Sequence, residues 1–150
     1  MSAERLGFVT VLARLGGALL FAVPVAWERQ AGRHLGLRTV PLVSLGACGY
    51  VLLAIRLGEE PEVSARVLQG LLSGIGFIGG GAILKHGAGD VVGIATAATI
   101  WNMGAIGAAT GFGDYWLGMF LCLANFLVLL LGSLAHKFTA IPDKNPKYRP

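Results

Sequence analysis

Residues 73–84 read Ser73-Gly74-Ile75-Gly76-Phe77-Ile78-Gly79-Gly80-Gly81-Ala82-Ile83-Leu84, and whether this run is a nucleotide loop or part of a membrane helix decides the fold. Gly74, Gly76 and Gly79 satisfy the GxGxxG spacing that brings a backbone close to a pyrophosphate at a strand-to-helix turn. That use requires a preceding strand inside a βαβ unit and an acidic residue about 20 positions later. In this chain the glycines instead lie inside an apolar segment from about Val63 to Leu84, long enough to cross a bilayer. Nucleotide binding is set aside, and the glycines are read as helix-packing residues.

The composition agrees. Of 150 residues, 55% are hydrophobic and 13% charged, and the mean hydropathy is +0.69. A soluble globule carries roughly a quarter of its residues charged to cover its surface. This balance excludes a disordered chain, a disulfide-stapled secreted module and most soluble enzymes, since none of these keeps so much apolar surface from water. The net charge of +4 comes from Lys and Arg dispersed along the chain, not gathered into a nucleic-acid patch. Cys48 and Cys122 lie far apart within apolar stretches, as two buried thiols.

Crossing about 30 Å of hydrocarbon takes roughly 20 helical residues. Five such runs are present, from about Leu6 to Trp27, Val40 to Leu57, Val63 to Leu84, Val91 to Gly111 and Tyr115 to Leu134. Arg14 within the first run, and the lack of a small-residue cleavage site after it, make that run an uncleaved span and not a signal peptide. The expected fold is an all-α membrane protein, a bundle of about five transmembrane helices over residues 1–135, with a short basic tail at 136–150. With the N-terminus outside, the cytoplasmic segments hold Arg29, Arg33, Arg38, Lys85, Lys137, Lys144, Lys147 and Arg149, and the outer ones only Arg5, Arg56 and Arg66. Positively charged loops stay on the cytoplasmic side, so the N-terminus is expected outside and the C-terminus cytoplasmic.

In lipid, helices associate through close backbone contact, which small residues permit. Gly70/Gly74, Gly76/Gly80 and Gly107/Gly111 each place two glycines on one helix face. Packing inside one protomer is the first reading of these pairs, with a homo-oligomer interface or a small-residue pore as the others. Ionisable groups within spans must face protein or water. Arg14 is expected to pair with a carboxylate or a helix C-terminus, and Arg66 to snorkel. Arg66, Gln69, Gly70, Ser73, Phe77 and Gly80 share one face of the third helix, which is expected to look into the bundle. Thr96, Thr99 and Asn102 form a slanting polar row on the fourth span. An amide such as Asn102 either hydrogen-bonds across helices or offers oxygen to a hydrated ion, while the threonines return to their own helix's carbonyls. Asp90 and Asp114 suit helix N-termini.

His34, His86 and His136 are isolated, so no zinc site is expected. Glu59, Glu60 and Glu62 make an acidic outer loop whose first meaning is solvation and whose second is weak binding of hydrated Mg²⁺. No Ser, Thr or Cys is grouped with a base, so the chain is not expected to be an enzyme, and no cofactor is implied.

Several stretches together carry a family resemblance: Trp27-Glu28-Arg29, Gly36-Leu37-Arg38-Thr39 with the following PLVSLGA, Arg66 to Gly70, Ser73 to Leu84, and Thr96 to Trp101. In this order and spacing the chain resembles the membrane domain of the MgtC/SapB family from Arg14 to about Leu131. Gly93-Ile94-Ala95-Thr96-Ala97-Ala98 stands where the family commonly reads GLTTAA, so one hydroxyl is missing, and the resemblance is expected to cover the membrane domain without the soluble C-terminal domain of many members. The resemblance implies a bacterial inner-membrane protein linked to growth at low Mg²⁺ and, in pathogens, to virulence inside macrophages. Carried over by motif, the residues expected to matter are Glu28, Arg29, Gly36, Arg38, Thr39, Gly74, Gly76, Phe77, Gly79, Thr96 and Trp101.

Two functions follow. One is a regulator that binds another membrane protein, such as the F-type ATP synthase, through small-residue helix faces. The other is a carrier of Mg²⁺ or another cation along a polar path between the third and fourth spans. No acidic residue lies securely inside a span, which favours the regulator.

Overall fold

The computed structural model describes residues 6–31, 38–58, 61–86 and 90–139. They form five helices, α1 (Phe8–Ala31), α2 (Thr39–Leu57), α3 (Pro61–Gly81), α4 (Ile94–Phe112) and α5 (Tyr115–Thr139), with a two-stranded hairpin, β1 (Leu84–His86) and β2 (Asp90–Val92), between α3 and α4. Four segments are long and apolar enough to cross a membrane: Phe8–Arg29, Thr39–Leu57, Pro61–Gly81 and Tyr115–Ala135. α4 is not among them, because Thr96, Thr99, Asn102 and Thr110 dilute its apolar residues. It is nevertheless the centre of the bundle, packing on α1, α2, α3 and α5, with its closest association to α2. A helix enclosed by protein needs little lipid-compatible surface of its own.

The glycine pair Gly107/Gly111 explains the close approach of α4 to α2. A Cβ at Gly107 would run into the Ser44 carbonyl and lie 2.8 Å from the Ala47 Cβ, and one at Gly111 would lie 2.7 Å from the Val51 Cβ. Ser44, fully buried in this seam, donates from Oγ to the Ala18 carbonyl of α1 at 3.0 Å. Around it Ala22, Val25 and Ala26 of α1, Val40 of α2, Met103 and Ile106 of α4 and Cys122 of α5 make the main core. Cys48 and Cys122 are free, buried thiols.

The hairpin departs from the expected span boundaries. The third run ends as helix at Gly81, not Leu84, and Val91 and Val92 are strand residues, paired antiparallel with Leu84 opposite Val92 and Lys85 opposite Val91. Aliphatic residues at both positions satisfy a strand as well as a helix, and local propensity alone does not separate the two. Asp90 therefore lies in β2, and the N-cap residue of α4 is Gly93, at φ +93°. Only glycine takes this left-handed conformation without strain, and any Cβ there would also collide with the Ala82 carbonyl. Asp114 does cap as expected, its Oδ1 accepting from the Leu117 amide at 3.0 Å at the start of α5.

Candidate functional site

Four helix ends meet at the hairpin end of the bundle. The last turn of α1 brings Arg29, the first residue of α2 brings Thr39, the end of α3 brings Ile78 and Gly81, and the first turn of α4 brings Ala95 and Thr96. With Leu84 and Val92 of the hairpin and Ile100 of α4 they line a pocket of about 700 Å³. Arg29 and Thr96, distant in sequence, are brought together: the guanidinium Nη2 donates to the Thr96 Oγ at 3.4 Å, while its buried Nε has no partner among the described residues. The Thr96 side chain is itself buried. Three of the motif residues, Arg29, Thr39 and Thr96, thus form one polar corner at one end of the bundle.

At the opposite end, Arg14 of α1 reaches the C-terminus of α4, where Nη1 donates to the Gly111 carbonyl at 2.7 Å. This is the helix C-terminus that the sequence offered as one of two partners for Arg14. The C-cap, Gly113 at φ +87°, lies under the same guanidinium, so that a Cβ there would sit 3.2 Å from it.

A second groove, of about 690 Å³, runs between α2 and α3 and is lined by Gly46, Tyr50, Gly70 and Gly74 among others. Thr39 and Ile78 border both cavities. A Cβ added at Gly46, Gly70 or Gly74 would meet nothing within 4 Å, so this glycine face is open.

The stripe on α3 is turned the other way from the expectation. Arg66, Gln69, Gly70, Ser73, Phe77 and Gly80 are all exposed, with Phe77 at 85%, and the buried positions of α3 are Ile75 and Gly79. Ile75 fits against Gly104, and Gly79 against Ala97, both on α4. Two small residues on α4 determine the inward face of α3, whereas its polar residues go outward, Ser73 returning its hydroxyl to the Gln69 carbonyl at 3.0 Å. Gly76 and Trp101 are also exposed, as is Arg38, while Glu28 is half-buried beside Arg29. Gly36, His34, Glu59, Glu60 and residues 140–150 lie outside the described residues.

The polar row on α4 splits. Thr99 donates to the Ala95 carbonyl of its own helix at 2.8 Å, as expected. Asn102 borders a notch of about 280 Å³ between α4 and α5 that also contains Asn125. Asn125, 8% exposed with an unpartnered Nδ2, was not singled out from the sequence. The signal was present, since an amide within an apolar span is costly enough to need a role.

Comparison with known proteins places this geometry. A profile of the MgtC family matches residues 15–138. Protein SrpB of Synechococcus elongatus is 36% identical, over 83% of this chain and 71% of its own length. Protein MgtC of Salmonella typhimurium strain 14028s is 35% identical over 75% of this chain and 48% of its own length, and Protein MgtC of Brucella abortus strain 2308 is 40% identical over 66% and 41%. The chain thus spans about half or less of the length of these two MgtC proteins. No solved structure matches it.

Proposed function

We propose that this chain, which belongs to the MgtC family, is a bacterial inner-membrane regulator that acts by seating a helix of another membrane protein, such as the F-type ATP synthase, in the groove between α2 and α3. The observation that carries this reading is the open glycine face at Gly46, Gly70 and Gly74. In a bilayer such an open glycine face is suited to another backbone. The proposed orientation has the N-terminus outside, which puts the Arg29 pocket at the cytoplasmic end. The link to low Mg²⁺ and virulence is proposed on family membership.

The cation-carrier alternative rests on the notch holding Asn102 and Asn125, whose amides could offer oxygen to an ion. Among the described residues the polar ones buried in the bundle are Ser44, Thr96, Thr99, Thr110 and Asn125, and guanidinium groups sit at both ends of α4, an arrangement that repels a divalent cation.

The test is co-reconstitution with purified F-type ATP synthase in proteoliposomes. ATP-driven proton pumping is expected to fall with wild-type chain and to recover with Gly74→Leu, which fills the groove. Pumping that is the same with and without the chain would defeat this reading. In parallel, Mg²⁺ entry into dye-loaded liposomes above the protein-free control, lowered by Asn102→Ala, would support the carrier.

A further inference from the structure

We infer that the pocket where α1, α2, α3 and α4 meet is an anion site that holds the phosphate of a membrane phospholipid, with Arg29 as its cationic contact. The inference stands independently of whether the chain regulates a partner or carries an ion.

Three observations converge. The first is the position of Arg29. A cation belongs at a helix C-terminus and is disfavoured at an N-terminus, where the macrodipole is positive. Arg14 obeys this rule at the C-terminus of α4, but Arg29 leans on Thr96 in the first turn of the same helix. Arg29 thus carries its charge from the last turn of α1, where the helix end is negative, to the first turn of α4, where it is positive, and a negative group beside the guanidinium is attracted by both the charge and the α4 N-terminus. Glu28, next along α1, supplies part of that negative charge. Yet the acceptor that the described residues give the guanidinium is a neutral hydroxyl at 3.4 Å, and its Nε goes without.

The second is the start of α4. The first amides of a helix have no acceptor within it and are usually met by a side chain at the N-cap. Here the N-cap is Gly93, which has no side chain to cap with, and Gly93, Ala95 and Thr96 line the same pocket as Arg29. A guanidinium, the first amides of a helix and two threonine hydroxyls make a donor set suited to phosphate oxygens.

The third is the shape and chemistry of the remainder. The pocket is about 700 Å³, far more than one phosphate fills, and Ile78, Leu84, Val92 and Ile100 form apolar walls around the polar corner. A free phosphate uses the corner and leaves the walls wet, whereas a phospholipid uses both. The site also lies at helix ends, the depth at which headgroups are found.

Native mass spectrometry of the full chain in detergent, titrated separately with phosphatidylglycerol, phosphatidylcholine and inorganic phosphate, tests this. Wild-type chain is expected to hold phosphatidylglycerol about tenfold more tightly than Arg29→Gln, the loss of one charge-assisted contact. Arg66→Gln, which removes an exposed arginine elsewhere, is expected to match wild type. Equal retention by wild type and Arg29→Gln, or an equal loss with Arg66→Gln, would overturn the site. Displacement of the lipid by millimolar inorganic phosphate would overturn the lipid assignment in favour of a free anion. Should Arg29→Gln not fold, Val92→Trp blocks the pocket from its exposed wall and leaves the guanidinium in place. Phosphatidylglycerol retention is then expected to fall, and unchanged retention would overturn the proposal.

Discussion

Arg14 and Gly111 are 97 positions apart in the chain, and a 2.7 Å hydrogen bond from guanidinium to carbonyl ties the first helix to the end of the fourth. The contact satisfies a carbonyl that the helix itself cannot and places a positive charge at the negative end of the dipole. Arg14→Gln is expected to lower stability by about 1.5–3 kcal/mol, the range for a hydrogen bond to a charged group. Arg14→Lys should recover part of this. Thermal unfolding in detergent, followed by circular dichroism, checks both, and a wild-type midpoint for Arg14→Gln would remove the contact from the account.

The glycines separate into two classes that alanine substitution should distinguish. Gly107→Ala and Gly111→Ala push a methyl group into backbone and side chain of α2 and are expected to cost about 1–3 kcal/mol as overpacking. Gly70→Ala and Gly74→Ala meet open space and are expected to leave stability unchanged or raised by up to about 1 kcal/mol through helix propensity. The same unfolding assay reads all four. A destabilised Gly74→Ala would mean that the groove closes in solution.

Ser44→Ala removes the hydroxyl donated to Ala18 but keeps the small size that the α2–α4 seam requires. The cost is expected to be about 0.6 kcal/mol, the mean for such interhelical bonds in membranes. Ser44→Leu should be far worse, because the seam has no room. Comparing the two midpoints separates hydrogen bonding from packing.

Asn125→Leu should raise stability, in contrast to the other variants. Its Nδ2 is buried without a partner among the described residues, and an unsatisfied amide costs about 1–3 kcal/mol. A gain in unfolding midpoint is the expected outcome. If Mg²⁺ flux is present and this variant abolishes it, the buried amide is retained for transport at the expense of stability.

Much of the architecture was legible because the bilayer constrains it. Span length gave the helices, and charged-residue cost gave Arg14 a helix C-terminus as one of two candidate partners. The facing of α3 was not legible. In water an apolar stripe marks the inside, but in lipid both faces of a helix can be apolar, so Arg66, Gln69 and Ser73 sharing a face did not say where that face points. What turns α3 is the fit of Ile75 and Gly79 on Gly104 and Ala97, a relation between helices that no single helix's pattern contains. The polar corner was half legible: Arg29, Thr39 and Thr96 were each named by motif, but their meeting depends on four helix ends closing on one point. The hairpin escaped because Leu84 and Val92 suit strand and span alike.

The enclosure of α4 by four neighbours gives the chain a direction of assembly. Synthesis delivers α1, α2 and α3 first, so when α4 emerges its α2 seam, its Arg14 clasp and its α3 shelf already exist. One flank, bearing Asn102, stays uncovered until α5 arrives to close it. A chain ending at Phe112 and released into the membrane would therefore hold α4 half-wrapped, with its amide-bearing flank against lipid.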